Sequence, residues 1–130
     1  MKNLAILGRI LFALPFGLMG LNHFLMTNTF IGMSSTFVPT GAYTILIIGA
    51  ILILASISII LNKNIKLACF ILAGLLLLFI ATIHIPGLFN ADIKVAQLSL
   101  IELLKDTGLM GGAIMFAVFS DSMTVKSTKE

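Results

Sequence analysis

Four long apolar stretches, separated by short polar ones, set the plan of this 130-residue chain. The first runs from about Leu4 to Met26, the second from Ala42 to Leu61, the third from about Ile65 to Ile85. In water the isoleucine-rich second stretch would suggest a buried strand. It carries no charge over a length that crosses a bilayer, where a lone segment must satisfy its own backbone and therefore forms a helix. Pro86-Gly87 is a helix-stop pair after the third. The fourth stretch, Val95–Phe119, is less uniform. It holds Glu102, Lys105 and Asp106, then Gly108, Gly111 and Gly112, then an apolar tail. The tail from Thr107 onward reaches only about 20 Å at about 1.5 Å per residue, short of a hydrocarbon core about 30 Å thick. A spanning helix must therefore start near Val95 and carry the three charges into the membrane. Charges there are costly, face protein or water, and mark a site for chemistry.

The loop Thr27–Gly41 (TNTFIGMSSTFVPTG) is uncharged and includes Phe30, Met33, Phe37 and Pro39. A fully solvated loop is usually more polar. Two placements follow, along the outer interface or folded back over the bundle as a cap.

Composition agrees with the pattern. Hydrophobic residues make up 59% of the chain and charged ones 10%, with a mean hydropathy of +1.17, whereas soluble domains carry about 25% charged residues. The length suits one membrane domain, residues 1–130. No basic, aromatic-interleaved patch points to nucleic acid. The single Cys69 cannot form an internal disulfide, and in its apolar run it reads as an inert packed thiol. Lys2 and the apolar run after it faintly imitate a signal peptide. Arg9 interrupts that run and no small-x-small cleavage pattern follows promptly, so it reads as a retained first span.

Charge placement gives the orientation. Lys2 and Arg9, Lys63 and Lys66 of the NKN turn, and Lys126 and Lys129 fall on one side of a four-span protein. Lys94 alone falls on the other. The positive-inside rule then puts both termini in the cytoplasm. The expected fold is all-α: an integral four-helix bundle of up-down topology in a bacterial-type inner membrane, with residues 120–130 as a cytoplasmic tail.

In that arrangement Asn22 and His23 end the first span near its outer face, and His84 ends the third near the same face. Glu102, Lys105 and Asp106 enter from it. Helical geometry puts Ser99, Glu102, Lys105, Asp106, Leu109 and Ala113 on one stripe of the fourth span. Ala5, Arg9, Phe12, Phe16 and His23 share a face of the first, and Ala73, Leu77, Ile80 and His84 a face of the third. Turned inward, these faces enclose a small polar chamber with an apolar floor. Its candidate catalytic residues are His23, His84, Glu102, Lys105 and Asp106. Its candidate ligand-binding residues are Asn22, Arg9 and Ser99.

Each feature also has a plainer explanation. Glu102 and Lys105, three residues apart, can neutralise each other as a structural staple, with Asp106 paired to a histidine or a backbone group. Arg9 can snorkel or pair with Asp121. Pro15 frees the carbonyl of Leu11, usually only a kink. Gly108 and Gly112 form a GxxxG pattern, a close contact either within the bundle or between copies in a homo-oligomer. Two histidines at one depth could hold a haem, but the bundle is small, charges crowd the level and no motif demands it. His23, His84, Glu102 and Asp106 are chemically able to bind zinc or iron, yet no spacing selects them and no metal site is assigned.

The pieces LGRILFALPFGLMGLNHF (Leu7–Phe24), FVP (Phe37–Pro39), HIPG (His84–Gly87) and LKDTGLMGGA (Leu104–Ala113), in that order, resemble the DoxX family of small four-span membrane proteins. The resemblance covers most of the chain and is strongest in the first and fourth spans. It puts Arg9, His23, Lys105 and Asp106 at family-like positions, whereas His84 matches a subset with His-Pro-type ends on the third span. It implies a link to quinone-dependent sulfur oxidation or to membrane oxidoreductase complexes that handle thiol and oxidative stress. Wider relatives include non-catalytic membrane chaperones. This chain lacks the cysteine pair of direct thiol–disulfide exchange, so such chemistry would need a partner protein.

Three functions compete. In a quinone- or small-lipophile-handling redox subunit, a head group enters the polar chamber. A histidine shuttles a proton, since imidazole titrates near neutrality; Asp106 or Glu102 relays it and Lys105 stabilises an anionic reduced form. In a scaffold or assembly subunit, the polar stripe specifies the bundle or a partner helix, without catalysis. A conductance pathway is disfavoured because the inner halves of the spans are almost wholly apolar.

Overall fold

The computed structural model describes residues 2–33 and 41–127, all-helical with no strand among them. Helix α1 spans Lys2–Leu25, the short α2 Thr27–Met33, and α3 Ala42–Ile60. Helix α4 (Ile65–Phe79) runs through a π-helical turn, Ile80–His84, into one last α-helical turn, α5 (Ile85–Leu88). Helix α6 covers Ile93–Ser127. Four stretches are long and apolar enough to cross a membrane: Lys2–Leu25, Ala42–Ile60, Ile65–Leu88 and Ile93–Ser120. Their outward faces are lined with exposed side chains such as Leu7, Leu11, Leu18, Ile47, Leu54, Leu67, Ile101 and Val118. An apolar surface this extensive belongs against lipid rather than water. The molecule is a membrane protein.

Local chemistry sets the ends of the elements. Asn62 and Asn64 take left-handed backbone (φ 59° and 51°), which asparagine tolerates better than most residues. Asn62 closes α3 in a Schellman motif: its N–H donates to Ile59 O (3.1 Å) and that of Lys63 to Ser58 O (2.9 Å). Asp92 caps α6, its Oδ1 accepting from Lys94 N–H (2.9 Å). The helix therefore begins two residues before the expected Val95, and it continues through Ser127 into the expected tail.

Helices α1 and α3 pack in opposite register, and glycine makes this possible. A Cβ on Gly20 would lie 2.7 Å from Gly49 O, and one on Gly49 would lie 2.8 Å from His23 Cβ. Further along, Ser56 Oγ donates to Ala13 O (2.8 Å), so the second span gives the bundle an interhelical hydrogen bond. Against α6, α1 presents Phe12, which stacks on Phe116 (centroids 4.8 Å apart) and covers Gly112, while Gly108 borders open space. The main core joins Ala13 and Phe16 to Leu52, Ala55, Ile59, Ala68, Cys69, Leu72, Ala73, Leu76, Ala113 and Ala117. These residues crowd toward the end that carries the Asn62–Asn64 turn. Toward the other end the buried side chains include Ile45 and Ile80 and the polar His23 and Asp106.

Three expectations need correction. Thr27–Met33 is a helix packed on α1 and α3 rather than loop, while Phe37 and Pro39 lie outside the described residues. The third span does not stop at Pro86 but ends at Leu88. Of the expected face of the third span, Ala73 and Ile80 are buried but Leu77 is 55% exposed, and Leu72 and Leu76 take its place.

Candidate functional site

The π-helical turn is the local event that builds the site. Pro86 has no N–H to return to Thr82 O, and its ring crowds that carbonyl. Just before it, Ile85 N–H donates to Ile80 O, the five-residue bond of a π-turn. The wider turn absorbs an extra residue and swings His84 back onto the face that α4 shows to α6. At the next step Gly87 allows α5 to touch α6, since a Cβ there would collide with the Ser99 side chain. Ser99 is thus a packing partner of the turn.

Opposite His84, helical spacing brings Glu102, Lys105 and Asp106 together. His84 donates Nε2–H to Asp106 Oδ2 at 2.9 Å. Lys105 Nζ lies 3.7 Å from Asp106 Oδ1 and is ion-paired with Glu102. Asp106 is 5% exposed, and the His84 ring is nearly as enclosed, whereas Lys105 and Glu102 sit at the rim. Donor atoms of His84, Glu102 and Asp106 all lie within 4.8 Å of one another. With His84 neutral, two carboxylates and one ammonium leave the group at net −1. In surroundings of low polarity that excess is expensive. Among the described residues the His84 Nδ1 makes no hydrogen bond.

The other candidates stand apart from this group. His23 is 5% exposed and belongs to the α1–α3 seam. Its Nδ1–H donates to Met19 O (2.8 Å), and its ring stacks on Phe30 of α2 (centroids 4.1 Å, planes 17° apart). Thr27 Oγ1 donates to His23 O (2.8 Å), pinning α2 across the histidine. No hydrogen bond or ion pair joins His23 to His84 or Asp106. Asn22 is exposed. Arg9 lies well over three helical turns before His23 on α1, partly buried, its buried Nε without a hydrogen-bond partner among the described residues. The expected Arg9–Asp121 pairing lies outside the described side chains. Sequence reading marked Phe30 only as part of an unusually apolar loop, without its stacking on His23, and overlooked Ser56 and the π-turn; a single serine in an isoleucine run gives little signal, although Pro86 marks the π-turn. No protein-family model, curated protein or solved structure matches the chain.

Proposed function

We propose that this is a DoxX-like membrane subunit of a redox system that holds the head group of a quinone or similar small lipophile. The observation that carries this reading is the partly buried His84–Asp106 hydrogen bond beside a π-turn. Such turns recur at functional sites, and a histidine and a carboxylate paired between two spans suit a proton relay. A carbonyl of the head group sits by the imidazole, with its apolar tail between spans. Reduction of a quinone to a quinol takes two electrons and two protons. The electrons come from a partner redox protein, because Cys69 is alone; His84 passes protons with Asp106 as its counter-charge. Lys105 faces the anionic form. Arg9, Asn22 and His23 then serve the bundle and its membrane contacts.

A second reading rests on a separate observation: the four polar side chains of the site are linked to one another in one chain of contacts. A closed set of this kind also suits a scaffold or assembly subunit, whose ion pairs fix helix register. An absorption spectrum of gently purified protein, oxidised and then reduced, with mass spectrometry of its organic extract, separates the two. The redox reading expects about one lipophile per chain, lost in Asp106→Asn while the protein stays folded. A featureless spectrum and an extract with no stoichiometric lipophile would establish the scaffold.

In the same reading the spans alternate up and down with both termini in the cytoplasm. Cys69 is buried, so single introduced cysteines report cleanly. Ala91→Cys is expected to react with an impermeant maleimide in intact cells, and Leu61→Cys only after the membrane is opened. The reverse pattern overturns the orientation.

A further inference from the structure

The geometry points to a divalent transition-metal site at His84, Glu102 and Asp106, with Lys105 as a tethered competitor for the same position. This goes beyond the lipophile reading and does not rest on it. Glu102 and Asp106 are one helical turn apart on α6, and the π-turn brings His84 across to meet them. Their donor atoms already lie within 4.8 Å of one another. Around a tetrahedral zinc-class ion, donors about 2.0–2.2 Å from the metal are spaced about 3.4 Å apart. His84 Nε2 and Asp106 Oδ2, at 2.9 Å, are already inside that spacing, and Glu102 is within 4.8 Å of both. One imidazole and two carboxylates are a borderline-hard donor set, suited to Zn2+, Fe2+ or Mn2+, with water filling the open positions.

Charge supplies the second argument. The Lys105 ammonium contacts both carboxylates of the set, and so stands where a cation is wanted. It brings one positive charge to two negative ones. A divalent ion brings two, and cancels the excess once Lys105 swings away. Lys105 can do so because its side chain is the most exposed of the group, at 42%. On binding, the metal replaces the proton shared between His84 Nε2 and Asp106 Oδ2; for a neutral imidazole that proton moves to Nδ1, so no net proton is released. His23, committed to Met19 and Phe30, takes no part.

The test is a titration of tag-free full-length protein in nanodiscs with Co2+ alone, followed by visible absorption, then back-titration with Zn2+. One Co2+ per chain is expected, with ligand-field bands that Zn2+ abolishes. His84→Gln and Asp106→Asn each weaken binding at least about tenfold. Lys105→Met removes the competing cation and tightens binding about tenfold. This gain does not depend on the other two variants folding. Absence of ligand-field bands in both the wild type and Lys105→Met overturns the proposal. So does Lys105→Met binding no tighter than wild type, or unchanged affinity in folded His84→Gln and Asp106→Asn.

Discussion

Gly49→Leu is expected to break the α1–α3 seam and cost about 3 kcal/mol. Even the first carbon of the new side chain would lie 2.8 Å from His23 Cβ and 2.9 Å from Gly20 O. Both obstacles are backbone or rigidly attached to it, so no rotamer change relieves them. Inside a bilayer, lipid tails compete on equal terms for apolar surface, and helices associate through close van der Waals contact and polar bonds. A seam forced open forfeits that contact along its length, including the Ser56–Ala13 hydrogen bond. Leucine's better helix propensity, worth about 1 kcal/mol over glycine, recovers only part of the loss. Gly74→Leu is the control, because nothing lies within 4 Å of a Cβ there. Size-exclusion profiles and the resistance of far-ultraviolet circular dichroism to added sodium dodecyl sulfate check both. Gly49→Leu should lose its monodisperse peak while Gly74→Leu keeps it. Equal behaviour of the two variants would refute the packing.

How far such details can be read from sequence depends on the physics behind each. Span length is imposed by the bilayer, so four helices are legible in the hydropathy pattern almost to their ends. The remaining errors at those ends are local: Asp92 caps α6 earlier than the apolar run begins, and α3 ends at its Asn62 Schellman turn. The polar stripe of α6 is also legible, because Glu102, Asp106, Leu109 and Ala113 follow from about 100° per residue. On α4 the same arithmetic misplaces Leu77. The buried face is set by contact with α3 and α6, which a leucine-rich run does not reveal. His84 reaches α6 through the π-turn rather than through ideal helix geometry. Pro86 advertises a disturbance, but its outcome, a stop or a widened turn, depends on how α5 seats Gly87 against Ser99. Likewise His23 and His84 share a depth by residue counting, yet depth does not decide partnership. Phe30, Met19 and the α1–α3 seam claim His23, while Asp106 claims His84.

That division of partners leads to an asymmetry in the cluster that mutation can expose. His84→Leu strands the buried Asp106 carboxylate with only Lys105, at 3.7 Å and already committed to Glu102. Breaking a buried pair by leaving its charge behind costs about 3–5 kcal/mol. Asp106→Asn removes the charge, keeps a hydrogen-bond acceptor for His84, and leaves Lys105 and Glu102 neutral together. Its cost is expected at about 1 kcal/mol. The double variant His84→Leu/Asp106→Leu removes both partners and also leaves a neutral Lys105–Glu102 pair, so it should be far more stable than His84→Leu alone. The chain has no tryptophan, so circular dichroism in a detergent titration is the measurement, under identical conditions for all three. If His84→Leu proves as mild as Asp106→Asn, Asp106 does not carry the buried charge assigned to it. Because the double variant restores stability without restoring either polar group, it also separates chemistry from architecture. A scaffold that needs only a stable bundle should work with the apolar pair in place. A site that relays protons to a bound head group should be folded, inserted and inactive.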